Sequence, residues 1–143
     1  MDTKSYLMQI RRLNMMINNK LLELENVQTM ATSITVSSEK ENVKSSGEHD
    51  KLGTAAAKIV DIENELNELI DSYIDKKKVI ISQIDKIDDD RLYNILTERY
   101  VHGWSMEKIA DSMNYSLRQI KRFHKEALKE FEIVYGQSYM NMS

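Results

Sequence analysis

Apolar residues recur at helical spacing almost from the first residue. Over 3–31, Leu7, Asn14, Leu21 and Gln28 fall in one column at intervals of seven, and Ile10, Ile17, Leu24 and Ala31 in a second. Two such columns mark a coiled-coil seam, with Asn14 expected inside it to fix register. Leu13, Met16, Val27 and Met30 widen the stripe. The pattern stops at 32–50, rich in Ser, Thr, Glu and Lys and containing Gly47, which reads as a flexible, partly disordered connector despite a β-prone run at 33–36. A longer stripe follows over 51–87. Leu52, Ile59, Leu66, Tyr73, Ile80 and Ile87 stand at strict sevens, with Ala55, Ile62 and Leu69 as the second column and Ala56, Ile70 and Ile84 beside them. Two helices of roughly 40 and 55 Å, joined by a connector, predict an antiparallel hairpin in which each buries the other's stripe. The stripe from Tyr73 to Ile87 is left over, to pack on the next domain or to self-associate.

The pattern then shortens. Asp88, Asp89 and Asp90 offer an N-cap with negative charge at a helix's positive end. The helix they start, Asp90 to His102, carries Leu92, Ile95, Leu96 and Tyr100 on one side and ends at Gly103. Next come two short capped segments. Ser105 and Ser116 each precede a helical run, and Gln119 stands three residues after Ser116, as a capping box requires. Trp104 with Ile109, and Tyr115 with Ile120, have the spacing of hydrophobic staples. Between the runs lie Met113, Asn114 and Tyr115, and Asn tolerates the left-handed backbone of a sharp helix exit. Two capped helices with a turn of about three residues are a helix-turn-helix. The second helix continues through Phe131 and Val134 to Gly136. The expected fold is all-α: a helical hairpin over 1–87 with its connector at 32–50, a three-helix helix-turn-helix domain over 88–136, and a frayed tail over 137–143.

Composition agrees with long helices, for the 143 residues include no Pro and four Gly. There is no Cys, and the three histidines are scattered, so neither a disulfide nor a metal site is expected. The acidic residues Glu63, Glu65, Glu68, Asp71 and Asp75 read as a solvated face. No nucleophile, metal or phosphate-loop arrangement is present, so no catalytic residue, cofactor or enzymatic activity is expected. Arg11, Arg12, Asn14 and Asn18 interrupt the first stripe, which excludes a signal or membrane run there, and with no Cys a reducing cytoplasm is expected. The formal charge of −3 hides a local reversal. From Tyr115 to Glu130, Arg118, Lys121, Arg122, Lys125 and Lys129 face only Glu126 and Glu130.

Within the motif, Ile109, Ala110, Met113, Ile120 and Phe123 are the expected core, closed by Leu96 and Tyr100. Ser116, Leu117, Arg118, Gln119, Lys121, Arg122 and Lys125 remain outside as candidate DNA contacts. Arg reads guanine bidentately, Gln reads adenine, and Lys or Arg neutralises phosphates. Arg118, Gln119 and Arg122 are the expected base readers. Lys121, Lys125 and the Ser116 cap are the expected phosphate contacts, and Gln119 has a competing duty in the capping box.

The stretch LTERYVHGWSMEKIADSMNYSLRQIKRFHKEAL resembles region four of bacterial sigma-70-type factors. The resemblance rests on an L-x-x-R-Y helix with its Gly, an E-x-I-A first helix, then S-x-x-Q-I-K-R and A-L. It implies a second helix that reads promoter DNA in the major groove, with Leu117, Arg118, Gln119, Lys121 and Arg122 at the reading positions. Asn114 replaces the family's usual turn residue, and Leu117 stands where Arg is common, which implies a different base preference. The layout of the whole chain is similar to phage late-gene transcription regulators of the ArpU/RinA type. Nothing resembles the sigma region that opens promoters. The resemblance therefore implies a sequence-specific DNA-binding transcription regulator rather than a complete sigma factor. Its expected partners are double-stranded DNA, RNA polymerase and, through the long helices, a second copy, with no membrane. Two alternatives stay open: a small terminase-like recognition protein of phage DNA packaging, and a region-four module that binds protein without reading DNA.

Overall fold

The computed structural model describes the backbone of residues 1–41 and 46–141, and side chains over 1–34 and 50–141. All regular structure among the described residues is helical. The elements are α1 (Thr3–Leu7), α2 (Gln9–Glu41), α3 (Ser46–Ile84), α4 (Asp90–Leu96), α5 (Met106–Met113) and α6 (Leu117–Tyr135), with a π-type turn at Thr97–Val101 and a 3-10 turn at Gly136–Ser138. The chain forms two compact units, Asn14–Ser72 and a discontinuous one of Met1–Leu13 with Tyr73–Ser143.

In the unit Asn14–Ser72 the two long helices run antiparallel as a hairpin. The column Ile17, Leu24 and Ala31 faces inward as predicted, and so do Leu52, Ala55, Ile59, Ile62, Leu66 and Leu69 of α3. The second column of α2 is not the predicted one. Asn14, Leu21 and Gln28 are exposed, and Lys20, Val27 and Ile34 take the inward places. The reason is apolar content: Val27 and Ile34 bury more hydrocarbon than Asn14 and Gln28 can, so the helix is rolled toward them. Lys20 is tolerated there because its stem lies along the seam while its ammonium reaches Glu65 across the hairpin and Glu23 on its own helix. Asn14 therefore does not set register from inside the seam.

The connector reading also needs correction. Helix α2 continues to Glu41, through the β-prone run, and α3 begins at Ser46; only 42–45 of the expected connector fall outside the described residues. Residues 32–41 contain neither Gly nor Pro. Ser and Thr lower helix propensity by only about half a kcal/mol each, and extending an existing helix fixes one residue per new hydrogen bond. The Thr29 and Thr32 hydroxyls donate to the Glu25 and Gln28 carbonyls one turn back, at 2.9 and 3.0 Å, which keeps these side chains compatible with the helix.

The discontinuous unit answers the question left by the stripe Tyr73–Ile87. Ile80, Ile84 and Ile87 are buried in one core with Leu92, Ile95, Leu96 and Tyr100, with Ile109 and Ala110, and with Ile120, Phe123, Ala127 and Phe131. Tyr6, Leu7 and Ile10 close the same core from the N-terminus. The tail is not frayed where it was expected to be. Tyr139 is fully buried, stacked on Tyr6 with ring centroids 4.2 Å apart, and its hydroxyl is 2.7 Å from Thr3 Oγ1. The Met1 amine donates to the Met140 carbonyl at 3.3 Å. An aromatic ring that can bury its face and still satisfy its hydroxyl outweighs the fraying tendency of a terminus.

Candidate nucleic-acid interface

The interface is built on α4, α5 and α6. Asp89 caps α4, its carboxylate accepting from the backbone of Arg91 at 2.9 Å and Leu92 at 3.3 Å. The Arg91 guanidinium, helped by these backbone bonds, holds that carboxyl below the usual range. The helix was expected to run evenly to His102. Instead it widens at Thr97–Val101, where His102 N–H reaches the Thr97 carbonyl five residues back at 3.0 Å. Gly103 then takes φ +74, and Trp104 N–H closes on the Glu98 carbonyl at 2.9 Å. That closure through a left-handed glycine is one residue wider than the six-to-one bond of a Schellman motif, as the π-type turn before it requires, and it turns the chain toward α5. Arg99 Nη1 donates to the Trp104 carbonyl at 2.9 Å, fixing the joint from outside.

Ser105 caps α5 by accepting from Lys108 N–H at 3.1 Å. Asn114 ends it at φ 59, ψ 38, the left-handed conformation the sequence anticipated. Ser116 starts α6 with a complete capping box: Ser116 Oγ accepts from Gln119 N–H at 3.1 Å, and Gln119 Oε1 accepts from Ser116 N–H at 3.0 Å. Tyr115, just outside the cap, sets its ring edge-on to Phe123 with centroids 5.1 Å apart. Of the five expected core residues, Ile109, Ala110, Ile120 and Phe123 are buried, while Met113 lies half-buried at the rim. Ala110 has no side chain beyond Cβ to hold α5 and α6 apart.

Ser116, Arg118, Gln119, Lys121, Arg122 and Lys125 are all exposed, and Leu117 is half-buried. Arg118, Lys121, Arg122 and Lys125 stand at i, i+3, i+4 and i+7, so they share one helix face. None of the four forms an ion pair among the described residues. Arg122 lies over the Phe123 ring at 5.3 Å, which limits its swing without using up its donors.

Residues 89–130 match the family model for Sigma-70, region 4. No curated protein and no solved structure matches the chain. Region four is a DNA-binding helix-turn-helix, so α4 to α6 form a sigma-region-four-like DNA-binding unit. The match begins at the Asp89 cap and ends inside α6, short of Phe131 and Tyr139. Among the described residues no helix is long and apolar enough to cross a membrane, and no group of acidic or histidine side chains is placed to hold a metal.

Two features of the unit escaped the sequence. Arg91, thirty-one positions before Arg122, stacks on the same Phe123 ring at 4.7 Å and so adds a guanidinium beside the basic face. No local pattern signals that contact. His124, on α6, lies 2.6 Å from the Tyr100 hydroxyl. Burial, with the Arg99 and Lys4 charges, lowers the histidine to about 4, and burial pushes Tyr100 up to about 12. At neutral pH the ring is therefore uncharged and the tyrosine protonated, so Tyr100 donates and Nε2 accepts. The pair bolts the recognition helix to α4's extension.

Proposed function

We propose that this chain is a sequence-specific transcription regulator of the kind phages and prophages encode, which inserts the N-terminal half of α6 into the major groove. The observation that carries the reading is the face Arg118–Lys121–Arg122–Lys125, exposed and without acidic partners among the described residues, on an N-capped helix of a region-four-like unit. Cations with no carboxylate to neutralise them inside the protein are free to displace counterions from phosphate. Arg118 and Arg122 are the base readers. Lys121, Lys125 and the cap at Ser116 hold the backbone. Gln119 has its Oε1 committed to the cap, so it has an amide N–H₂ to offer a base acceptor but not the bidentate pair that adenine takes. Leu117, half-buried, supplies an apolar contact of the kind a thymine methyl accepts.

The working division is a DNA-reading part over 88–136, its core completed by residues of 1–13 and 73–87 and by Tyr139, and a helical hairpin that serves assembly. Leu21, Leu22, Met30 and Val60 are each about half exposed or more, and this apolar surface supports pairing with a second copy. The resemblance to region four supports a contact with RNA polymerase by the same unit.

Selection of bound sequences from random double-stranded DNA, followed by gel-shift titration, tests the proposal. Arg118→Ala and Arg122→Ala should each weaken binding by about 1–3 kcal/mol and relax preference at separate positions. Lys121→Ala should weaken all sequences alike and reduce the salt slope by about 1. Absence of salt-dependent DNA binding by the intact chain would overturn the proposal and leave the protein-binding module as the reading.

A further inference from the structure

The C-terminal third of α3 carries a groove that the DNA-reading function does not use. Tyr73, Ile74, Lys77, Lys78 and Ile81 line an open hollow of about 440 Å³. Ile81 also borders a second hollow, of about 180 Å³, lined further by Ile84, Asp85, Tyr93, Thr97, Val101 and His102. Ile74 in the first hollow is 55 % exposed, so the core leaves an isoleucine in water. The two hollows share Ile81 and so mark a track along α3, with Lys77 and Lys78 lining the first and Asp85 the second. From Lys77 to Asp85 is eight residues, about 12 Å of helix rise, which is the span of two turns of a partner helix.

The basic end is built to receive charge. Lys77 stands over the Tyr73 ring at 5.3 Å and donates to its hydroxyl at 3.2 Å, so its stem is laid along the wall and its ammonium is held at the rim. Neither Lys77 nor Lys78 forms an ion pair among the described residues. Nucleic acid would use the charges and leave the apolar floor in water. A wholly apolar helix would cover the floor and strip two ammonium groups of water without compensation.

We propose that this track docks an acidic amphipathic helix of a partner protein, its apolar stripe on Ile74, Ile81 and Val101 and its carboxylates on Lys77 and Lys78. Helices favour acidic residues in the first turn and basic ones in the last. A partner with that common polarity lies parallel to α3, with its first turn at the two lysines and its last turn at Asp85. The mode is helix-in-groove recognition, with charge setting direction and register. It is independent of DNA reading by α6.

The test uses the full chain and a labelled four-turn peptide with a leucine stripe, glutamates in its first turn and a lysine in its last. Fluorescence anisotropy should give a Kd below about 100 µM, the scale of weak specific encounters. The double variant Lys77→Glu with Lys78→Glu should weaken this by about tenfold or more, and exchanging the peptide's glutamates for lysines should restore binding to the variant. Circular dichroism and the DNA gel-shift of the variant should match the unaltered chain, which shows that the unit is folded. Equal binding of acidic and basic peptides, or no binding of either, overturns the proposal. So does light scattering in which the double variant loses a concentration-dependent mass increase of the unaltered chain, because the groove's occupant is then a second copy.

Discussion

Burial keeps the His124 ring uncharged down to about pH 4, against a usual value near 6.5. Between those values the unfolded chain binds a proton that the folded unit refuses, so stability rises with pH across the window. The contribution is complete above about pH 6.5 and is lost as pH falls toward 4. Urea midpoints measured at steps from pH 7 to 4 should therefore decline, and His124→Gln should flatten that decline while leaving the carboxylates' share below it. A second local test concerns backbone shape. Asn114 at φ 59 pays the left-handed penalty that glycine avoids, so Asn114→Gly should leave the melting temperature level or raise it, and Asn114→Val should cost about 1–2 kcal/mol. Removing the cap with Ser116→Ala should cost about 1 kcal/mol, read from the same melts.

At the scale of elements, the short helices were the legible ones. Each has a cap or exit whose chemistry is local: Asp89, Ser105, Ser116, Gln119, Gly103 and Asn114 act on backbone groups within a few residues, so sequence alone locates them. The long helices were legible in existence and less so in rotation. Their apolar content spreads over more than one face, and which face turns inward is decided by the partner helix. Hence Lys20 and Val27 displaced Leu21 and Gln28 from the seam, and the ion pair of Lys20 with Glu65 offers no signal within either helix. Within the candidate interface the exposed basic face was legible from spacing and charge, while Arg91 on Phe123 and His124 on Tyr100 depend on how helices cross. The seam makes a direct comparison possible. Asn14→Leu should change thermal stability by less than about 0.5 kcal/mol, as surface substitutions do. Val27→Asn should destabilise by about 2 kcal/mol or more, since it buries an unpaired amide in place of a packed side chain.

For the whole molecule, the compact unit that carries the helix-turn-helix is larger than the stretch that matches region four. Tyr6, Leu7 and Ile10 from one end, Ile80 and Ile84 from α3, and Phe131 and Tyr139 from the other end all enter its core. Tyr139→Ala should cost about 3–5 kcal/mol, the range for a buried aromatic, and removal of residues 1–13 should lower the melting temperature of the DNA-binding unit and its DNA affinity together. Chemical denaturation followed by both circular dichroism and gel-shift checks whether the two losses coincide.

The meeting of Tyr6 with Tyr139 also places the protein on a clock. Chains emerge from the ribosome at about 5–20 residues per second, so Leu13 precedes Tyr139 by roughly 6–25 s. The stretch 14–72 has all its own hairpin partners by about the middle of that interval, whereas Tyr6, Leu7 and Ile10 wait for their partners in α6 and at Tyr139 until its end. The region-four-like unit is thus among the last parts of the nascent chain to close its core, and the hairpin can form before it.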